Sequence, residues 1–313
     1  MTLDGLLAVL ALTAAIYALI HALERQWGVF FPEGGTGALI EGMLTLFREL
    51  GGEVRLNAGV DEIIVEKGRV SAVRLHSGET IPCLLAASNA DVVHTYDKLL
   101  RGNALARRKA ASLRKKRFSM SLFVIYFGLK GERPDLRHHT VLFGPRYREL
   151  LKDIFHGAEL ADDFSLYLHA PSVTDPSLAP PGHSAYYVLA PVPHLGNADI
   201  DWDVEGPRYR DRILAYLEQH QIPDLARDLV TCRIFTPFDF RDELNAHVGS
   251  AFSLEPVLWQ SAYFRTHNKD AQIGGLYFVG AGTHPGAGIP GVVGSAKATA
   301  GIVLDDLGER KVA

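Results

Sequence analysis

Cysteine is scarce in this chain of 313 residues, where Cys83 and Cys232 are the only two and lie far apart. They provide no disulfide framework and no C-x-x-C motif, so we expect a reducing compartment. The histidines lack the spacing of a metal site such as H-E-x-x-H, and the neighbours His138 and His139 cannot easily hold one ion together. The sequence alone therefore predicts no metal site.

Acidic residues are missing from the stretch between Asp97 and Glu132. On a helix that begins near Ala104, the basic residues of this stretch form one charged face. That face is either solvated surface or a contact with anionic lipid head groups, where each charge contributes about 1 kcal/mol. Nucleic acid is the least favoured partner, because no recognisable binding fold or interleaved aromatic residues accompany the charge. The basic residues are Lys98, Arg101, Arg107, Arg108, Lys109, Arg114, Lys115, Lys116, Arg117 and Lys130.

A genuine dinucleotide fingerprint is also missing. Gly286, Gly288 and Gly291 have the spacing of G-x-G-x-x-G, but that motif requires its first glycine directly after a strand, within a βαβ unit. Here residues 282–285 intervene, and Pro290 falls inside the motif. We therefore interpret the match as accidental for pyrophosphate binding.

What the chain does contain, near its end, is a strand, a bare glycine turn and a helix. The apolar run from Leu276 to Val279 is typical of a strand buried on both faces. Glycines follow at once, and an apolar stretch with helical spacing runs from about Gly291 to Asp306. Backbone amides and the positive end of a helix dipole meet at such a joint. The joint therefore predicts a site for a polar ligand.

Residues 276–297, LYFVGAGTHPGAGIPGVVGSAK, closely resemble the carboxyl-terminal signature of bacterial phytoene desaturases, the flavoenzymes of the carotenoid pathway. The resemblance implies FAD as cofactor, with the segment along the isoalloxazine and the helix start facing its pyrimidine edge. A helix N-terminus stabilises the negative charge that a reduced flavin can carry. The backbone of Val60 is implied to contact adenine. The expected cofactor-binding residues are Val60, Gly280, Ala281, Gly282, Thr283, Gly291, Val292 and Val293.

Residues 3–20 are almost wholly apolar and allow three interpretations. A signal peptide requires a basic n-region, whereas Asp4 is the charged residue there. A membrane span requires about twenty apolar residues, which this segment barely approaches. A buried or membrane-apposed helix that continues to Trp27 fits best.

An amphipathic helix is predicted after the turn at residues 31–37, with Gly51 and Gly52 as its stop. Strands at residues 54–56, 60–65, 70–75 and 80–86 then form an antiparallel meander. This combination resembles the part of the family's FAD-binding domain that lies between the halves of its parallel sheet. Residues 86–91 resemble the return to that sheet. The apolar helix positions are Leu39, Ile40, Met43, Leu44, Phe47 and Leu50.

Residues 118–260 predict an α+β unit with strands at 118–127, 164–169 and 185–190 and a helix from Tyr209 to His220. Its large apolar side chains form a core or line a tunnel for a long hydrocarbon. The overall prediction is an α/β fold: an incomplete FAD-binding Rossmann-like domain with an antiparallel β-meander, plus an α+β substrate domain. The segments are 1–30, apolar and helical; 31–95, part of the FAD-binding domain; 96–270, the substrate domain with the basic helix; and 271–313, the closing FAD-binding segment.

Members of the resembled family begin with a strand, a true G-x-G-x-x-G turn and a helix that hold the ADP half of FAD. No such unit is found in this sequence, so we expect a fragment, a truncated gene product or one partner of a split protein. Removing hydrogens from a carbon chain needs no protein nucleophile, because the flavin accepts the hydride. The resemblance places three polar residues near the flavin as catalytic candidates, each with a structural role as the alternative: Asp239, Arg241 and Glu255.

The implied function is FAD-dependent desaturation of phytoene or a related polyene, with isomerisation or ketolation as sister activities on the same scaffold. The alternative is a catalytically inert chain, either a pseudo-enzyme or an association module at the membrane. A polyene is insoluble in water, so we expect a cytoplasmic protein attached peripherally to the inner face of the cell membrane. The expected partners are a long polyene hydrocarbon and the membrane surface, with no nucleic acid.

Overall fold

The computed structural model describes residues 22, 24–261 and 264–308. The chain divides into two compact units, residues 1–54 with 257–259 and residues 55–256 with 260–313. The apolar segment at residues 3–20 lies outside the described residues. Within the described ranges, no helix combines the length and the apolar character that a membrane crossing requires.

The first unit contains the predicted amphipathic helix, α1 (Gly35–Glu49). Gly34 precedes it in the left-handed conformation, with φ 77°. Apolar side chains along one side, among them Ile40 and Phe47, are exposed. The strand predicted at residues 54–56 is wrong: the backbone there is irregular and enters a turn at Asn57, whose φ of 56° ends any extended run.

The predicted meander is present at the start of the second unit. Strands β1 (Val60–Glu66), β2 (Arg69–Leu75) and β3 (Thr80–Pro82) form an antiparallel sheet in that order. The β1–β2 turn consists of Lys67 and Gly68, both with positive φ, as a two-residue hairpin of the right twist requires. One face of β2 is buried and contributes to the core of this region.

After the meander come β4 (Ala86–Ser88), α2 (Val92–His94) and a π-helical segment, Thr95–Leu99. The basic helix predicted near residue 104 follows as α3 (Ala104–Leu113). Side chains spaced by one helical turn bury the inner face of α3 and leave most of its basic residues outward.

The α+β part is a five-stranded antiparallel sheet with the order β6-β7-β8-β5-β9. Its strands are β5 (Ser121–Lys130), β6 (His139–Leu142), β7 (Leu166–His169), β8 (His183–Val192) and β9 (Leu229–Phe235), and its helices are α4 (Tyr147–His156), α5 (Trp202–His220), α6 (Leu225–Asp228) and α7 (Pro237–Asp242). The core lies between the sheet and α5, where Phe123 stacks on Trp202 with ring centroids 5.6 Å apart. The start predicted for α5, Tyr209, is too late. The helix begins at Trp202 with Asp201 as its N-cap, and Pro207 is accommodated inside it.

The last strand of the chain pairs with β4, and the last helix follows it. Strand β10 (Leu276–Phe278) is buried at every residue and pairs in parallel with β4, with Leu276 opposite Ala86. Helix α8 (Ile289–Asp306) follows after a glycine-rich loop. The strand–turn–helix joint predicted for this region is confirmed. Among the described residues, the parallel sheet at this joint has two strands.

Candidate functional site

The turn that follows β10 is tied to α8 by a buried hydroxyl pair. The amide of Gly280 donates to Ser295 Oγ over 3.1 Å, and Thr283 Oγ1 donates to the Gly280 carbonyl over 2.9 Å. The two hydroxyl oxygens of Thr283 and Ser295 lie 2.8 Å apart. Because these polar groups satisfy one another, the turn has a fixed shape before any ligand binds. Gly280 and Thr283 therefore act first as framework residues.

Gly280 is required by the geometry of this turn. Its φ is 96°, a conformation that L side chains rarely adopt, and a β-carbon on it would overlap Asn89 Oδ1. A β-carbon on Gly282 would lie 2.9 Å from Val92. The turn after β10 thus lies directly against the segment after β4.

A buried arginine fixes the far side of the same turn. The Arg265 guanidinium donates to the Ala281 carbonyl over 2.8 Å, and also to the carbonyls of Leu254 and Phe252 over 3.1 and 2.9 Å. Its burial lowers the pKa of Arg265 to about 10. The side chain joins the loop at residues 252–254 to the turn after β10, and it sets the position of Ala281.

The start of α8 presents backbone donors without a side-chain cap. Gly288 precedes the helix with φ 91°, no side chain caps the first turn, and the first turn holds no acidic residue. Ile289 is 56% exposed, and Val293 is exposed as well. An uncapped N-terminus of a long helix is a favourable position for a negative or electron-rich group.

These residues fit the pyrimidine edge of a flavin. The joint offers a glycine-lined turn on which a planar ring can rest, and uncapped helix amides toward which the ring's carbonyl oxygens can point. Gly291 and Val292 are half-buried at the start of α8, where Val292 donates to the Gly288 carbonyl over 2.9 Å. The backbone of this first turn would hold the cofactor.

A cavity of about 1010 Å³ opens beside the joint. Val60 of β1, Asn89 after β4 and the loop at residues 245–248 line it. Its size reaches the upper end of the range of about 300–1,000 Å³ that is usual for small-molecule sites. Asn89 lies in the wall of this cavity and also against Gly280, so the cavity and the turn after β10 share a border.

Charges along the cavity wall are neutralised locally. The Arg101 guanidinium lies 2.6 Å from Asp61, and its hydrogen bond holds the pKa of Asp61 below the usual range. Burial lowers the pKa of His94 and of His247, which favours the neutral imidazole in both. The wall therefore offers neutral donors and acceptors next to a surface ion pair.

Of the three residues predicted as catalytic, Asp239 and Arg241 lie on α7, whereas Glu255 lies outside that helix. Asp239 accepts from the amide and the hydroxyl of Thr236, over 2.5 and 2.8 Å, and so caps α7. Glu255 binds Arg117 over 2.6 Å. Arg241 lines the cavity, where it pairs with Asp242 over 2.6 Å and lies over the Phe238 ring. Both carboxylates thus have structural partners, and a catalytic role for these residues stays a prediction.

Two features of this molecule were not predicted from the sequence. Asn89 falls within the returning segment at residues 86–91, and its place directly after a strand could have marked it. His138 and His139 are adjacent in sequence and cannot easily hold one ion together, whereas the fold brings His169 beside both.

The fold and the joint define a flavin-associated α/β protein, and the chain belongs to the family described as flavin containing amine oxidoreductase, which matches residues 1–304. Among curated relatives, it is 63% identical over 295 residues to the lycopene-forming phytoene desaturase of Pseudescherichia vulneris, covering 94% of this chain and 60% of that protein. It is 46% identical over 296 residues to the neurosporene-forming phytoene desaturase of Rhodobacter capsulatus, covering 93% of this chain and 56% of that protein. The resemblance seen in residues 276–297 is thereby confirmed, and the chain spans about 60% of the length of the first of these relatives.

Solved structures support the fold. The crystal structure of an oxidoreductase from Methanosarcina mazei aligns with a TM-score of 0.61 at 17% identity, over 91% of this chain and 58% of that one. A variant of putrescine oxidase aligns with a TM-score of 0.54 at 12% identity, over 87% of this chain and 53% of that one. Both likenesses concern the fold alone.

Proposed function

We propose that this chain provides the flavin-facing joint and the substrate-facing α+β part of an FAD-dependent phytoene desaturase. The observation that carries the proposal is the uncapped start of α8 beside the fixed glycine turn, in a chain that is 63% identical to a lycopene-forming phytoene desaturase. Desaturation of phytoene or a related polyene is the reaction class that this supports.

The protein's own part in such a reaction is positional. When bound, FAD accepts the hydride taken from the carbon chain. The first turn of α8 would stabilise negative charge at the pyrimidine edge, and the Arg265 clamp would keep the Ala281 turn in place. Arg241, paired with Asp242 at the cavity wall, remains a candidate for orienting groups near the ring.

The proposal is tested in cells that accumulate phytoene. We would join the chain in frame to the portion of the Pseudescherichia vulneris relative that it does not match, and analyse the polyenes by chromatography. Coloured polyenes support the proposal. Unchanged phytoene, in cells where the intact relative produces lycopene and the fusion protein is folded, contradicts it and favours a catalytically inert chain.

We also propose that the outer face of α3 attaches the protein peripherally to an anionic membrane surface. Arg114 pairs with Asp97, and Arg117 pairs with Glu255. Within the described part of the chain, four exposed cations on and after α3 have no acidic partner. Lys109 lies over the Tyr96 ring, and the other three have no such ring contact: Arg107, Arg108 and Lys115. Leu105, 41% exposed, lies beside them. A cluster of free cations with an exposed apolar side chain suits a headgroup surface.

A further inference from the structure

Three histidines converge at the edge of the five-stranded sheet. His139 is the first residue of β6 and pairs with His169, the last residue of β7. His138 precedes the strand, and its carbonyl accepts from the Ala170 amide over 2.9 Å. Successive side chains on a strand point to opposite faces. His138 lies outside β6, so its ring is not required to point away from the His139 ring. Both neighbouring rings can therefore approach His169.

The ring nitrogens have the spacing of a metal site. One nitrogen from each histidine lies within 4.8 Å of one from each of the others. The Nε2 atoms of His138 and His169 are 2.8 Å apart. Two imidazoles on a tetrahedral ion with bonds of about 2.0–2.1 Å would place their nitrogens about 3.3 Å apart, so a shift of about half an ångström admits the ion.

The opposite nitrogens of two rings are already held. Thr174 Oγ1 lies 2.6 Å from His138 Nδ1, and the Tyr167 hydroxyl lies 2.6 Å from His139 Nδ1. Metal-binding histidines characteristically engage an oxygen through the nitrogen that does not bind the ion. The two hydroxyls fix the ring orientations, and His138 turns its Nε2 toward His169.

The ligand chemistry and the access from solvent also suit coordination. Neutral imidazole is the form that binds metals. His139 is exposed, so an ion can reach the cluster from solvent.

We propose that His138, His139 and His169 form a binding site for a divalent first-row transition ion of the zinc class. Three neutral nitrogen ligands favour zinc, nickel or copper over magnesium or calcium, which prefer oxygen. Three protein ligands leave a fourth position for water or an added anion. The bound ion would link β6, β7 and the loop that carries Thr174.

The test uses the untagged 313-residue chain, freed of metal with a chelator, and titrates it with Zn²⁺ by calorimetry and with Co²⁺ by visible absorption. We expect one ion per chain, the absorption band of a four-coordinate nitrogen site, and a higher unfolding temperature with Zn²⁺. His139→Ala should abolish the band. His156→Ala removes an exposed histidine elsewhere and should leave it unchanged.

Two further variants keep the outcome decisive if His139→Ala does not fold. Tyr167→Phe and Thr174→Val remove the hydroxyls behind the rings but retain all three ligands, and each should weaken Zn²⁺ binding about 10–100-fold. Absence of stoichiometric binding overturns the proposal. So does binding that Tyr167→Phe and Thr174→Val leave unchanged, or an equal loss in His156→Ala.

Discussion

Thr266 and Thr283 form a parallel bridge beneath the glycine turn, yet their hydroxyls differ in what they bind. Thr283 Oγ1 donates to the Gly280 carbonyl over 2.9 Å and lies 2.8 Å from Ser295 Oγ. Thr266 Oγ1 is buried and has no hydrogen-bond partner among the described residues. The pair therefore provides a matched comparison of a satisfied and an unsatisfied buried hydroxyl.

Replacing each threonine by valine should change stability in opposite directions. Thr283→Val should lower the free energy of unfolding by about 1–3 kcal/mol, because it leaves buried partners unpaired. Thr266→Val removes an unsatisfied hydroxyl at nearly constant volume and should raise the free energy of unfolding by about 1 kcal/mol. Urea unfolding measures both, and equal losses in the two variants would contradict this account.

Arg265→Lys should be strongly destabilising although the charge is retained. Lysine cannot reproduce the planar fork that reaches three carbonyls, and each lost hydrogen bond from a charged group costs about 1.5–3 kcal/mol. We expect a loss of about 3 kcal/mol or more in urea unfolding. Arg208→Lys, at an exposed ion pair with Glu205, is the control and should change stability by less than about 1 kcal/mol.

Asp91→Asn should stabilise the protein at neutral pH. The Asp91 carboxylate accepts from the amides of Val93 and His94, but burial raises its pKa above the usual value. The folded state therefore binds more protons than the unfolded state, and the free energy of unfolding falls as pH rises from about 4 through the raised pKa. Asparagine keeps the cap without the charge.

The stability gained in Asp91→Asn should accordingly be largest at neutral pH and should disappear as the pH falls below about 4. Urea unfolding across this range measures it. Asp91→Ala loses the cap and should be less stable than the parent by about 1 kcal/mol. A gap between the Asn variant and the parent that does not depend on pH would refute the explanation.

Ile289→Asp should separate helix stability from flavin binding. A carboxylate in the first turn of α8 interacts favourably with the helix dipole and should stabilise the chain by about 0.3–1 kcal/mol. The same charge should repel the electron-rich edge of a flavin and weaken FAD binding by the fusion protein, measured by fluorescence titration. Ile289→Asn is the neutral control. Equal FAD affinity in the two variants would place the flavin elsewhere.

Charge reversal on the basic helix tests attachment to lipid. With Arg107, Arg108 and Lys115 changed to glutamate, flotation with anionic vesicles should be lost, and the parent protein should dissociate as salt rises, because surface charges are screened within about 10 Å at 0.1 M. Binding that is equal for neutral and anionic vesicles at low and high salt would assign no role to these charges.

The control for that experiment reverses the same number of charges on another surface. Arg137, Arg148 and Lys152 are exposed and belong to the α+β part. Their replacement by glutamate should leave flotation largely intact if the position of the charges matters. Equal loss in both triple variants would indicate that net charge alone is responsible.

Sequence patterns were sufficient to predict the elements whose burial or turns determine their residue types. The apolar run at 276–279 predicted β10 because a strand covered on both faces cannot alternate. The meander was readable from its turns, such as Lys67-Gly68. The extent of α5 could not be predicted in this way, because a proline such as Pro207 usually ends a helix and is here accommodated inside one.

Features that depend on strand register were beyond local patterns. The meeting of His139 with His169 results from the β6–β7 pairing, and no periodicity in either segment encodes it. Likewise, the approach of Asn89 to Gly280 follows from the pairing of β4 with β10. Each feature joins segments whose contact is decided by the whole fold.

The parallel pairing of Ala86 with Leu276 has a consequence for the order of folding. Its two strands are separated in sequence by the entire five-stranded sheet, so closing this contact early would confine a very long loop. We expect the α+β part to fold first and the β4–β10 pair to form late, as a slower kinetic phase. During synthesis, β4 therefore remains without its partner until residues 276–278 have left the ribosome.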